Sequence, residues 1–126
     1  MLLFTFLLAC AGDVSVGWST EVCTDWVLDD EPVITVNTAD NGDIVVQREG
    51  VMAGCDDSFA PDVIGEGWTI RVFEGWEPGE AADDCESCFA PTVRPMAPPR
   101  GKYTVQWFDE SSDVLPVETI EFDTRD

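Results

Sequence analysis

Short runs of alternating apolar and polar residues, separated by turn residues, constrain the fold of this chain more than any other feature. Such alternation is typical of a strand that buries one face, and no window of the sequence has a convincing helical period. The predicted strands, with apolar side chains that share a face, are 18–28 (Trp18, Val22, Trp26, Leu28), 33–37, 44–47, 67–74 (Trp68, Ile70, Val72), 102–108 (Tyr103, Val105, Trp107) and 117–122 (Ile120, Phe122). Six or seven short strands predict an all-β domain, most simply a two-sheet sandwich, with a small β-barrel as the alternative.

The turn 40–43 lies between two of these strands and has the sequence Asp-Asn-Gly-Asp. Asn41 and Gly42 both tolerate positive φ angles, and an Asn-Gly pair between β-branched runs is a strong hairpin signal. The acidic cluster raises the alternative of a calcium loop, but the alternate acidic residues and the later Glu of an EF-hand are absent. We therefore expect a hairpin, and we predict no bound metal or cofactor.

The five cysteines divide into Cys10 and a set of four, Cys23, Cys55, Cys85 and Cys88. In an extracytoplasmic protein an even number of cysteines predicts disulfides, here two with three possible connectivities. A four-cysteine zinc site would need a second close pair to match Cys85-x-x-Cys88, and a thioredoxin-like redox motif would need a helix after it. Neither feature is present. We favour a bridge from Cys55 to Cys85 or Cys88, because Phe-Ala-Pro follows closely in both loops.

The chain carries 26 Asp and Glu residues against six Lys and Arg, which gives a net charge of −20. A field of this sign repels nucleic acid and anionic lipid headgroups. The 44% hydrophobic content and five Trp residues argue against a disordered acidic chain. There is no His, the commonest general base, and a glycosidase-like carboxylate pair has no diagnostic value among so many acidic residues. We therefore predict that the protein is not an enzyme.

The segment 75–101 is the candidate contact surface. It has no clear strand pattern and is longer than about 15 residues, and connections of that length in compact domains are usually functional or disordered. Arg94 and Arg100 form a positive spot on an acidic chain, beside Trp76 and Phe89, and this composition is typical of interface anchors. The alternative is that the aromatic rings close the edge of the core and the cations neutralise nearby carboxylates. The segment 51–65 is also expected to be a loop, with at most one short strand.

The apolar run 2–9 is too short to span a bilayer, which takes about 20 residues. Its end, Leu7-Leu8-Ala9-Cys10, resembles the lipobox of bacterial lipoproteins, whose cysteine is lipidated and becomes the first residue of the mature chain. The resemblance implies a signal peptide at 1–9, a lipidated tether at 10–17 and a membrane anchor at Cys10. Ala11 after the cysteine resembles lipoproteins sorted to the outer membrane, where the domain faces the periplasm or the cell surface. The alternative is a buried strand of a cytosolic protein.

The sequence Pro99-Arg100-Gly101-Lys102-Tyr103-Thr104-Val105 resembles the late P-x-G-x-Y-x-V strand of secreted immunoglobulin-like and fibronectin-type domains. This resemblance implies an immunoglobulin-like sandwich for a single disulfide-stabilised domain at 18–126. The sequence thus predicts an envelope lipoprotein that binds another envelope protein or a small ligand through its loops. The alternative is a purely structural envelope lipoprotein without a tightly bound ligand.

Overall fold

The computed structural model describes residues 12–13, 16–23, 33–80, 85–96 and 98–125. The predicted lipobox and residues 24–28 of the first predicted strand lie outside these ranges. The described strands are β1 (Gly12–Asp13), β2 (Val16–Val22), β3 (Val33–Thr38), β4 (Ile44–Glu49), β5 (Val51–Gly54), β6 (Ser58–Phe59), β7 (Asp62–Glu66), β8 (Thr69–Phe73), β9 (Trp76–Glu77), β10 (Glu86–Pro95), β11 (Lys102–Phe108) and β12 (Glu118–Asp123).

The strands form two main sheets that pack face to face. The first sheet has the order β1-β7-β8-β11-β12, in which β8 and β11 are parallel and the other neighbours antiparallel. The second has the order β2-β10-β4-β3, with β5 also paired to β10, and β6 and β9 form a small separate ribbon. None of these sheets closes into a barrel. The prediction of an all-β sandwich is therefore confirmed, and the barrel alternative is set aside.

The core lies where the period-two pattern predicted it. Tyr103, Val105 and Trp107 of β11 are buried, as are Ile70 and Val72 of β8, because alternate side chains of a strand point to the same face. From the second sheet the core includes Ile34, Ile44, Val46 and Val93. Trp68, which was predicted to share the face of Ile70, is instead 52% exposed because it lies in the β7–β8 turn, just before β8 begins.

The predicted hairpin at 40–43 is confirmed. Strands β3 and β4 are antiparallel and pair from Val33 with Glu49 to Thr38 with Ile44. Gly42 has a φ of 94°, which an L side chain rarely adopts, and its amide donates to the carbonyl of Ala39. Glycine at this position therefore fits the turn that the sequence requires.

The prediction that 75–101 is one long loop is wrong, because this segment contains β10, the longest described strand. Pro91 and Pro95 argued against a strand, since proline cannot donate to a ladder. On one side of β10, only Thr92 and Val93 pair with β4, and Glu86 to Phe89 pair with β5. Pro91 therefore lies in the unpaired gap between these two ladders, where Gly50 (φ 98°) separates β4 from β5. Pro95 lies beyond the paired stretch, so neither proline interrupts this side of the ladder.

Two other segments differ from the prediction. The segment 51–65 contains β5, β6 and most of β7 rather than at most one strand, because it pairs with β10, β9 and β8. Part of the predicted tether, at Gly12–Asp13 and Val16–Gly17, belongs to β1 and β2. These short strands pair with strands that are distant in the sequence, so their own residues were too few or too polar to predict them.

The side chains of Trp18, Thr20 and Val22 do share a face, as predicted. Their partners on β10 include the buried Val93 and Pro91, so this face points towards the core. Trp18 is nevertheless 51% exposed and Val22 63% exposed. The reason is that β2 is an edge strand of the second sheet, where the opposing layer covers less of the surface.

Two disulfides join Cys23 to Cys88 and Cys55 to Cys85. The predicted oxidation of all four cysteines and the favoured bridge from Cys55 are therefore confirmed. The first bridge ties edge strand β2 to β10, and the second ties the end of β5 to the beginning of β10. Both bridges thus fix the strand that composition did not reveal.

The sandwich has two ends that we name by the direction of β11. The proximal end holds the start of β11, the Gly67–Trp68 turn and the β3–β4 turn. The distal end holds Phe108, which pairs with Phe73 of the parallel strand β8. At the proximal end Gly12 pairs with Gly65, so the chain enters the fold there. The two ends are built from different loops and carry different chemistry.

Candidate functional site

The structure divides the four predicted contact residues among three places. Phe89 and Arg94 lie on the same strand but on opposite faces, because their separation along β10 is odd. Phe89 faces the core side with Trp76, whereas Arg94 faces outward and Arg100 lies in the β10–β11 connection. These side chains therefore do not form the single contact surface that we predicted.

Trp76 and Phe89 belong to an aromatic cluster at the edge of the core. The Trp76 ring lies 5.3 Å from that of Phe59 and 5.6 Å from that of Phe89. Phe59 in turn stacks on the buried Trp107 at 6.4 Å. Trp76 and Phe89 are both half-buried. This placement matches the alternative in which the aromatic rings close the edge of the core.

A buried carboxylate, which the sequence analysis did not identify, organises this cluster. Glu74 accepts hydrogen bonds from the indole N–H groups of Trp76 (2.8 Å) and Trp107 (2.9 Å). The Arg48 guanidinium donates to the same carboxylate at 2.6 Å, with only 6% of the Glu74 side chain and 12% of the Arg48 side chain exposed. Each partner satisfies a polar group that would otherwise be buried alone. The arrangement therefore stabilises the fold.

Arg94 forms an ion pair with Asp43 of the β3–β4 turn. The Arg94 Nε donates to Asp43 Oδ2 at 2.9 Å, and the Asn41 amide donates to the same oxygen at 3.2 Å. Asp43 is buried, while 45% of the Arg94 side chain is exposed. Arg94 therefore links the outer face of β10 to the turn, and the carboxylate considered for calcium is used within the fold.

Beside this turn lies a polar groove of about 250 Å³, which we call the proximal groove. The β3–β4 turn forms one wall, the β10–β11 connection the other, and the residue after β12 closes it. Its lining residues are Thr38, Ala39, Asp40, Gly42, Pro98, Arg100 and Thr124. The groove is smaller than most drug-sized ligand sites, which are about 300–1,000 Å³, and its size suits a small polar group.

Hydrogen bonds from β11 and the chain after β12 hold the Arg100 wall in place. The Thr124 Oγ1 accepts from the Gly101 amide at 2.9 Å, and the Thr124 amide donates to the Gly101 carbonyl at 2.9 Å. The Tyr103 hydroxyl donates to the Pro99 carbonyl at 2.5 Å, the geometry of a tyrosine corner. Burial raises the pKa of Tyr103 to about 12, so its hydroxyl keeps this proton through the physiological range.

Gly101 lets the Trp68 ring pack closely against the chain. A Cβ at Gly101 would lie 2.4 Å from the Trp68 ring, which is closer than any real contact. The Trp68 ring also packs edge-on against Tyr103, with 5.1 Å between ring centroids. The P-x-G-x-Y sequence thus positions Arg100 on a segment that is fixed on both sides.

Arg100 differs from the other cations of the chain in its electrostatics. Five of the six Lys and Arg side chains form ion pairs, whereas Arg100 forms none with any described residue. Asp40 lies in the same groove and is exposed. The groove therefore offers one guanidinium for a carboxylate or phosphate group, and one carboxylate for a donor.

Among the described residues, no three His, Cys, Asp or Glu side chains are grouped so that they could hold a metal ion. The same part of the chain contains no helix long and apolar enough to cross a membrane. Comparison with known proteins finds no matching family model, no matching curated protein and no matching solved structure.

Proposed function

We propose that this protein is a lipid-anchored envelope protein whose β-sandwich binds a partner protein or small ligand through its loops. The pairing of Cys23, Cys55, Cys85 and Cys88 into two disulfides is the observation that carries the location. Such bonds persist in oxidising compartments outside the cytosol and are rare within it. The resemblance of Leu7-Leu8-Ala9-Cys10 to a lipobox supports the anchor.

The position of the first strand gives the proposed anchor a direction. Cys10 precedes Gly12 by two residues, which is at most roughly 7 Å of extended chain. Gly12 enters the fold at the proximal end, where it pairs with Gly65. A lipid on Cys10 would thus hold the proximal end near the membrane and direct the distal end away from it.

The proximal groove is the proposed ligand site. Arg100 has no ion pair among the described residues and lies on a wall fixed by Thr124 and Tyr103. Hydrogen bonds to Pro99 and Gly101 fix the backbone on both sides of Arg100. Its guanidinium can recognise a carboxylate or phosphate group through paired N–H donors. The groove therefore favours a ligand or peptide segment that carries one anionic group.

A purely structural lipoprotein is the second candidate. Three of the four predicted contact residues already have partners within the chain: Trp76 and Phe89 in the aromatic cluster, and Arg94 on Asp43. This use of the side chains by the fold is the observation that favours a domain without a tight ligand. The two candidates make opposite predictions about binding.

Capture of bound molecules from the cell envelope distinguishes the binding protein from the purely structural one. The tagged full chain is produced in its own cells, treated with a reversible cross-linker and purified, and its bound proteins and small molecules are identified by mass spectrometry. Arg100→Ala should reduce the bound material about tenfold, because a charged hydrogen bond contributes about 1.5–3 kcal/mol. Arg125→Ala is the matched control, since Arg125 lies beside Thr124 but pairs with Asp123 at 2.7 Å. No specific material on the wild-type chain would favour the structural candidate, and unchanged binding by Arg100→Ala would exclude the groove.

A further inference from the structure

The distal end of the sandwich presents an apolar loop to solvent. This apical loop, residues 114–117, is the last part of the connection 109–117 between β11 and β12. Val114 is 76% exposed, Leu115 72% and Val117 42%. Single exposed apolar residues are ordinary on protein surfaces, but three within four positions on one protruding loop form a patch. The proposed function makes no use of this patch.

The apical loop is held in one conformation by its own hydrogen bonds. The Ser112 hydroxyl oxygen accepts from the amides of Val114 (3.1 Å) and Leu115 (3.0 Å). The Val117 amide donates to the Trp107 carbonyl at 2.8 Å, and Pro116 fixes its own φ. The amides of Val114, Leu115 and Val117 are thus satisfied within the chain, while most of the surface of the Val114 and Leu115 side chains is exposed.

The base of the loop is connected to the buried network. Asp109 accepts hydrogen bonds from the Ser111 amide at 2.8 Å and from the Ser111 hydroxyl. Its other carboxylate oxygen lies 3.9 Å from Arg48, the partner of Glu74. The Ser111 hydrogen bonds, with a smaller contribution from Arg48, lower the pKa of Asp109. The loop is therefore connected to the core at its base and ordered by local hydrogen bonds at its tip.

The charges around the loop determine what it can contact. The segment 109–118 contains Asp109, Glu110, Asp113 and Glu118 and no Lys or Arg. This acidic rim repels anionic membrane surfaces, and the net charge of −20 opposes contact with a second copy of the chain. A protein pocket that is apolar at its centre and lined by Lys or Arg at its edge complements both features.

We propose that the apical loop is a preformed docking tip that inserts Val114 and Leu115 into an apolar, basic-rimmed pocket of a partner protein. Because the loop is already ordered, docking costs little conformational entropy. The distal end would also face away from the membrane if Cys10 is lipidated, and this orientation alone rests on the proposed function. The tip and the proximal groove are separate surfaces, so either can be present without the other.

A photo-cross-linking residue at position 114 of the full chain, produced in its own cells, tests the proposal. We expect one discrete adduct with a different protein, cross-linked at an apolar pocket edged by Lys or Arg. The same cross-linker at Glu121, which is exposed on β12, is the control and should not give this adduct. Leu115→Asp should lower the adduct yield at least about tenfold, whereas Leu115→Met should leave it within about twofold.

Charge reversal tests the rim. Asp113→Lys should lower the yield about two- to fivefold, and Glu77→Lys, at the exposed residue of β9, should not. Each variant should keep the melting temperature of the parent, because these side chains are exposed and bury little. Cross-links to lipid or to a second copy, an adduct equally strong from position 121, or an adduct unaffected by Leu115→Asp would overturn the proposal. If position 114 gives no adduct while Arg100-dependent binding is still observed, the docking role of the apical loop is rejected and the proposed function is unaffected.

Discussion

Replacing Glu74 with Ala should be one of the most destabilising single changes to a polar residue in this domain. The substitution removes the partner of a guanidinium that is only 12% exposed and leaves the indole N–H groups of Trp76 and Trp107 without their acceptor. Removal of one member of a buried ion pair costs about 3–5 kcal/mol, because the remaining charge stays buried without its close partner. Arg48 would keep only the Asp109 carboxylate, which lies 3.9 Å away. A domain of this kind is stable by only about 5–15 kcal/mol, so the loss takes a large share of its stability.

The matched control is Glu66→Ala. Glu66 also pairs with an arginine, Arg71 at 3.2 Å, but the two side chains are 56% and 36% exposed. Exposed pairs of this kind contribute about 0–1 kcal/mol. The double variant Glu74→Ala, Arg48→Met removes the unpaired charge as well, so it should be more stable than Glu74→Ala alone.

Urea unfolding of the disulfide-bonded full chain, followed by Trp fluorescence, measures these differences. Trp76 and Trp107 report directly on the loss of Glu74, because both bond to its carboxylate. We expect the free energy of unfolding to decrease in the order wild type, Glu66→Ala, the double variant and Glu74→Ala. The reasoning is refuted if Glu74→Ala and Glu66→Ala differ by less than about 1 kcal/mol, or if Arg48→Met worsens the Glu74 variant.

Two further predictions concern stability. Removing the Cys23–Cys88 bridge should cost about 0.7 kcal/mol more than removing Cys55–Cys85, because its sequence separation is 65 rather than 30; a smaller cost in urea unfolding would contradict this loop-entropy argument. Tyr103, the one tyrosine, should titrate near 12 rather than 10 in its absorbance at 295 nm. Because this pKa is raised on folding, its contribution to stability should be complete below about pH 10 and lost as the pH rises through about 12, and a midpoint near 10 would show an exposed phenol.

Local pattern was enough to predict the strands with one clearly buried face. The boundaries of β11 agree with the prediction, and Tyr103, Val105 and Trp107 are buried as the alternation required. The Asn-Gly turn between β3 and β4 was also predicted, because its chemistry is contained within four residues. In each case the information lies within a short stretch of sequence.

Strand β10 was missed because its stability comes from elsewhere in the chain. Pro91 is compatible with the sheet because Gly50 interrupts the partner strands and leaves a gap in the ladder there, and nothing near Pro91 in the sequence indicates that gap. The two disulfides add constraints from Cys23 and Cys55. A proline-rich, acidic segment therefore forms a central strand that composition alone argues against.

The candidate site was predicted only in part, because its contacts also join residues that lie far apart in the sequence. The sequence identified Arg100 and Arg94 as unusual on an acidic chain, but it did not show that Asp43, 51 residues away, pairs with Arg94. Nor did it show that Glu74 joins Arg48 to Trp107 across separations of 26 and 33 residues. One signal was present: Arg48 continues the alternation of Ile44 and Val46 at the end of the predicted strand and so shares their apolar face, where a buried cation needs a partner. The partner itself depends on how the sheets pack.

We propose above that the protein is lipid-anchored, disulfide-bonded and located in the cell envelope. The most direct test is the intact mass of the mature protein, measured before and after reduction and alkylation. We predict a mature chain that begins at Cys10 and carries acyl mass, with four thiols available only after reduction. A Cys10→Ala variant should lose the acyl mass and still contain both disulfides. A chain that retains Met1, carries no acyl mass and has all five cysteines as free thiols before reduction would contradict the claim.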